Sequence, residues 1–234
     1  MTPISEYWRG ARDGLPFILV IAPFGAVFGV VATEAGLDLA QVMGFSLLVI
    51  AGAAQFVAVQ MMVENAPVLI VLAASLAVNL RMAMYSASLA PHLGALPFRK
   101  RAFISYLMVD QTYAPSILRY ENRPELSPRA RLGYFLGVAS PIVPIWYLAT
   151  WAGAMLGSAV PPGLPIDFAV PITFLALIMP MLRSPAHVVA ALVSILGTLV
   201  FAFLPFNLGL LLAALLAMMA GAETERRLAR RHAP

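Results

Sequence analysis

The 234-residue chain contains no cysteine, which removes disulfides, thiolate metal sites and cysteine nucleophiles from consideration. Charge is also scarce. Only 11% of the residues are charged, against about 25% in an ordinary soluble domain, so a water-facing surface cannot be covered and most of the exterior must face lipid. The three histidines, His92, His187 and His232, form no HExxH pair. There is neither an acidic cluster suited to a divalent ion nor a serine elbow between a strand and a helix. These gaps argue against a membrane enzyme: no catalytic residue, resident metal or cofactor is expected.

What is abundant is apolar. Hydrophobic residues make up 61% of the chain, and the mean hydropathy is +0.87. A helix crossing the hydrocarbon core needs about 20 apolar residues. Runs bounded by charge, proline or glycine fall at about 14–33, 39–62, 67–91, 102–118, 132–157, 167–182, 186–204 and 207–222. The expected fold is all-α: a polytopic integral membrane bundle of about eight spans, some discontinuous or re-entrant. A β-barrel would read as alternating segments of roughly ten residues, which these unbroken runs do not resemble. The segments read as an interfacial N-terminus over 1–13, a single transport domain over 14–222 and a basic tail over 223–234.

The sequence pI is about 9.8, yet the basic residues sit at span ends. That placement suits topology and anionic headgroups rather than nucleic acid. The start, MTPISEYWRGARDG, lacks the pattern of a cleaved signal and reads as a retained first helix, with Tyr7, Trp8, Arg9 and Arg12 at the interface. If all eight spans cross and the N-terminus is cytoplasmic, eleven loop cations lie inside, and Arg99, Lys100 and Arg101 are three outside. That imbalance favours both ends inside. The Arg99–Arg101 cluster is the discordant loop, and the neighbouring 102–118 segment is where a regular model is most exposed to failure.

Some spans carry features that plain lipid anchors do not. Pro23 interrupts the first run, followed by Gly25 and Gly29. A proline there either kinks a helix with a Gly25-x-x-x-Gly29 packing face or opens a discontinuous helix whose backbone binds substrate. Gln55 follows Gly52, Ala53 and Ala54, and offers its amide either to a neighbouring helix, worth about 0.6 kcal/mol, or to a ligand. The third run carries Asn79 and Arg81, two apart and so roughly 200° around a regular helix. Either this span has polar neighbours on two sides or it unwinds there. An arginine at a span centre costs about 2.5–3.5 kcal/mol on insertion scales and needs an anion or water to offset it. Asp110 is the only mid-span carboxylate, and Tyr106 and Tyr113 would share its face on a continuous helix. A fixed Arg81–Asp110 pair that merely pins two spans, and a pair that meets substrate or a proton, both fit this pattern. A carboxyl in a low-dielectric site favours its neutral form, as proton coupling requires.

The stretches PFGAVFGVVA (Pro23–Ala32), AGAAQF (Ala51–Phe56), VNLRMAMYSASLAPHL (Val78–Leu93) and VDQTYA (Val109–Ala114) resemble the AzlC family, large subunits of branched-chain amino acid exporters. The resemblance implies secondary export of valine, leucine, isoleucine and sometimes methionine from the bacterial cytoplasm, across the inner membrane. It also implies a small AzlD-like membrane partner subunit, and a homo-oligomer is compatible with it. The matching positions are Pro23, Phe24, Gly25, Gly29, Gln55, Asn79, Arg81, Tyr85 and Asp110. Met82 departs from an expected ring, and Gln111 from an acidic residue common beside Asp110, which weakens any two-carboxylate proton scheme. A zwitterionic amino acid needs a cation for its carboxylate, an acceptor for its ammonium and an apolar pocket. Arg81 or unwound backbone near Pro23 serves the first, and Asp110 or the Gln55 carbonyl the second. Phe28, Met43, Phe56 and Met82 are candidate walls. The expected substrate contacts are therefore Pro23, Phe24, Gly25, Gln55, Asn79, Arg81 and Tyr85, with Asp110 as the proton-coupling group. The same polar centre would serve a channel or an exporter of another small solute, and a non-transporting scaffold subunit is the remaining alternative.

Overall fold

The computed structural model describes residues 2–159, 182, 184–204 and 208–232. Among these residues the chain is helical throughout: α1 (Pro3–Gly14), α2 (Ile18–Glu34), α3 (Leu39–Leu48), α4 (Gly52–Val63), α5 (Val68–Leu93), α6 (Phe98–Tyr106), α7 (Asp110–Asn122), α8 (Pro128–Ala159), α9 (Pro185–Val200) and α10 (Leu208–His232). This is the expected all-α membrane architecture, and the protein is a multi-pass membrane protein. Four stretches are long and apolar enough to cross a bilayer: Pro3–Glu34, Val68–Leu93, Pro128–Gly157 and Leu208–Leu228. The expected span over 167–182 lies almost wholly outside the described residues.

Two compact units divide the chain, Met1–Gln60 with Leu72–Leu164 and Met61–Val71 with Pro165–Pro234. The second contains a helical hairpin. Gly197 of α9 lies against Ala213 of α10, and Gly221 against Ala190, so the two helices run antiparallel with small residues at their contact.

The first unit is built on a parallel pair. Leu15–Phe17, a turn of 3₁₀ helix, joins α1 to α2, and the resulting rod lies along α8. A Cβ at Gly133 would run into the Pro3 carbonyl, at Gly137 into that of Tyr7, and at Gly153 into that of Ala26; one at Gly29 would run into that of Thr150. Such backbone-to-backbone approach is how helices associate where lipid removes the hydrophobic drive. Gly25 faces Ala149 and Trp146, so the Gly25-x-x-x-Gly29 face packs as its spacing allows. Pro23 is exposed and lies inside an unbroken α2. The unwound backbone anticipated there is absent: the proline ring projects away from the protein, and the close α2–α8 contact holds the helix on both sides of it. Pro141 and Pro144 likewise sit inside an unbroken α8.

Interruptions occur elsewhere. Helix α2 stops at Gly36, whose φ of 88° lets Leu37 N–H reach the Ala32 carbonyl at 3.1 Å. Asp38 then starts α3 with a reciprocal capping box, its carboxylate accepting from Gln41 N–H and Gln41 accepting from Asp38 N–H. That helix ends after one half-span, because Val49 is extended, at φ −139° and ψ 102°, and α4 begins at Gly52. The 102–118 region breaks in the same manner. Tyr106 closes α6, and α7 opens at Asp110. Each break falls near the midpoint of a stretch long enough to span.

Near the first helix a buried ion pair locks the unit. Arg119 of α7 donates from Nε and Nη2 to both Glu6 carboxylate oxygens, at 3.0 and 2.8 Å, with side chains 12% and 1% exposed. That hydrogen bonding raises the arginine's affinity for its proton, ahead of the opposing effect of burial. Tyr134 of α8 donates to Asp13 at 2.7 Å, so polar links join α1 both to α7 and to α8. Replacing Glu6 with alanine strands a buried guanidinium and is expected to cost about 3 kcal/mol. Detergent melting of Glu6→Ala checks this, with the Glu6→Ala/Arg119→Met double variant expected to recover part of the loss. Gly153→Leu is expected to cost about 1–3 kcal/mol by overpacking the α2–α8 contact, read in the same melting assay.

Candidate functional site

Arg81 stands at the middle of α5, which is regular through Asn79-Leu80-Arg81. Its Nη1 donates to Asp110 Oδ2 at 2.8 Å. The partner comes from the start of α7, where the break over Leu107–Val109 has ended α6 and begun a new helix. A carboxylate in the first turn gains from the exposed N–H groups and the helix dipole. Thr112 secures that turn: its hydroxyl accepts from Val109 N–H at 2.9 Å. So the break does two things at once. It brings the carboxylate to the arginine, and it places that carboxylate at the positive end of a half-helix.

The pair is not saturated. Arg81 Nε and Asp110 Oδ1 are both shielded from solvent and lack a hydrogen-bond partner, although the side chains as a whole are about one-third exposed. One donor and one acceptor are thus left beside the ion pair. Tyr85, one turn from Arg81, lies close enough to feel both charges, and its ring stacks on Tyr113 at 4.1 Å between centroids. Tyr113 donates to Ser88 at 3.0 Å. Asn79 points elsewhere on α5, and its Oδ1 is buried without a partner. Of the two readings of Asn79 and Arg81, the regular helix with polar groups on two sides is the one observed.

Tyr113, three residues on in α7, shares the Asp110 face as expected, but Tyr106 does not, because the break ends α6 before Asp110. Tyr106 instead donates to the Leu47 carbonyl at the end of α3, at 2.6 Å, and its hydroxyl meets that of Tyr147 from α8 at 2.7 Å. A backbone carbonyl freed at a mid-span break must find a protein or water partner. Tyr106 supplies it, and in doing so ties the two interrupted helices together.

Gln55 belongs to a second polar cluster. Its Nε2 donates to Ser46 at 3.3 Å, and Ser46 donates to Thr150 of α8 at 3.4 Å; all three side chains are buried. Gln55 Oε1 and Trp146 Nε1 have no partner. Phe24 packs on Phe56 and Trp146 at 5.1 and 5.9 Å between ring centroids, Phe28 joins them, and Gly52 is pressed against Phe24 and Trp146. Arg81, Tyr85 and Asp110 are therefore brought together, Gln55 and Phe24 meet around the α3–α4 break, and Gly25 is a packing contact. Sequence reasoning gave Tyr106 to Asp110 rather than to Leu47, and missed Tyr147, Ser46, Thr150 and the Glu6–Arg119 pair. A usable signal existed only for the glycines of α8, spaced Gly133-x-x-x-Gly137 and Gly153-x-x-x-Gly157. Among the described residues there is no cluster of three metal-ligating side chains.

Comparison with known proteins agrees with this picture. The family model described as AzlC protein matches residues 16–160, which includes both broken helices, α5 and all of α8. The chain is 25% identical over 235 residues to the "Inner membrane protein YgaZ" of Escherichia coli strain K12, covering 94% of this chain and 95% of the relative. It is 29% identical over 222 residues to an uncharacterized membrane protein of Archaeoglobus fulgidus, covering 90% and 92%. A membrane protein of Helicobacter pylori strain 26695 is 24% identical over 159 residues, covering 66% and 68%. No solved structure matches the chain. With its interrupted helices and mid-span ion pair lying inside the matched region, the chain belongs to the AzlC family.

Proposed function

We propose that the protein is a secondary transporter that exports branched-chain amino acids across the bacterial inner membrane in exchange for protons, both termini cytoplasmic, beside a small AzlD-like partner subunit. The observation that carries this reading is the half-satisfied Arg81–Asp110 pair at the α6–α7 break. Ionisable groups inside a span are transport candidates by default, and half-helix ends near the bilayer centre are where transporters of several folds hold zwitterions and ions.

Substrate binding leaves neither charge uncompensated. A zwitterion inserted between the two side chains gives its carboxylate to Arg81 and its ammonium to Asp110, so each charge swaps one partner for another. Tyr85, one turn on along the Arg81 face of α5, orients the ligand. After release outside, a proton from the external water takes the ammonium's place on Asp110. Substrate and proton then compete for one carboxylate, which is the requirement for antiport. The aromatic group around Phe24, Phe28 and Phe56 supports selection of an aliphatic side chain once Gln55 and Trp146, each with one unpaired polar atom, are drawn into the cycle.

Valine efflux from proteoliposomes tests this. Arg81→Gln and Asp110→Asn are each expected to lower efflux roughly thirtyfold or more, the scale of losing one charge-assisted hydrogen bond. Asp110→Asn should keep some valine–valine exchange while losing its response to an imposed pH gradient. Near-normal, pH-responsive efflux from both variants overturns the assignment. Loss of folded protein in each single variant, regained in the double variant, marks a pair that only holds α5 to α7.

A further inference from the structure

A cleft of about 330 Å³ lies between the second half of α5 and α6. Its floor is apolar and buried: Leu89, Leu93, Ile104 and Met108 are each 5% exposed or less. Polar groups line its edge, with Ser86 on α5 and Arg101 and Ser105 on α6. The Arg101 guanidinium and the Ser105 hydroxyl have no partner among the described residues. At its inner end sits Met108, the middle residue of the α6–α7 break, in contact with Ser86 at 3.9 Å and two residues before Asp110.

We infer that this cleft is a vestibule that binds an aliphatic amino acid next to the Arg81–Asp110 pair, with Arg101 holding the carboxylate and the Leu89–Met108 floor holding the side chain. The inference rests on the transport reading above and gives its substrate a second binding place. The chemistry is that of a small amphipathic anion: one cation, two hydroxyls and an apolar bed, in a volume at the lower end for ligand pockets. It also gives a use to Arg101, one of the three cations at the start of α6 that stand against the positive-inside pattern. A cation kept for ligand capture is not bound by the rule that sorts cations for topology. The position of Met108 makes the floor of the vestibule part of the same break that presents Asp110.

Because the chain has no cysteine, a single introduced thiol reports on the cleft cleanly. Ser105→Cys, with Ala102→Cys as a second position should the first not fold, is labelled by a maleimide in nanodiscs of neutral and of anionic lipid. Valine is expected to slow labelling several-fold in both lipids, glycine to have little effect, and Arg101→Gln to shift the protecting valine concentration upward roughly tenfold. Protection that persists in Asp110→Asn, where transport is lost, supports a vestibule separate from the coupling pair. Labelling indifferent to valine while the same protein carries valine in vesicles overturns the vestibule and leaves the transport reading standing. Protection by anionic lipid but not by valine also overturns it. Should the unaltered protein move no amino acid, the transport reading fails, and valine protection alone then decides the cleft.

Discussion

A guanidinium halfway along an apolar helix must have either an anion or water beside it, since the bilayer core supplies neither. In this protein the anion is Asp110, and it reaches Arg81 only because the helix carrying it is cut. An unbroken helix over 98–122 would put Asp110 well inside a run of satisfied backbone, with no free N–H groups behind it. Breaking the run at Leu107–Val109 turns Asp110 into the first residue of α7 and leaves the pair at the mouth of a half-helix. The cost of the break is met locally by Thr112, while the Tyr106 hydroxyl closes the carbonyl left at the end of α3.

The helices around the site differ in how closely they pack. The rod of α1 and α2 lies so tightly on α8 that several glycines admit no Cβ, and packed interiors of this kind switch between discrete arrangements rather than deform. The Glu6–Arg119 pair fastens the first helix to α7. By contrast, α3–α4 and α6–α7 are each joined through a few extended residues and meet through one tyrosine.

Much of this was written in the sequence, unevenly. Low charge and long apolar runs define the membrane class, and the lone mid-span arginine and aspartate single out each other because no other counter-charge exists at that depth. Gly25 and Gly29 announce close packing by spacing alone. The breaks were not legible in the same way. Pro23 carries the strongest local breaker and leaves its helix intact, while Val49–Ala51 and Leu107–Val109 contain no proline or glycine and interrupt theirs. Tertiary contacts weigh in: Tyr106 closes the carbonyl freed at the α3–α4 break from 59 residues away, and a partner so distant in sequence leaves no local trace. Glu6 was invisible for a similar reason, since its partner lies 113 residues away.

The central claim is that Asp110 alternates between the arginine, a substrate ammonium and a proton. Infrared difference spectroscopy of the reconstituted protein, with valine added and withheld, reads that carboxyl directly. The expected result is a carboxyl band that changes on valine addition and disappears in Asp110→Asn. A carboxyl region that valine leaves unaltered, in protein that is transporting, contradicts the account.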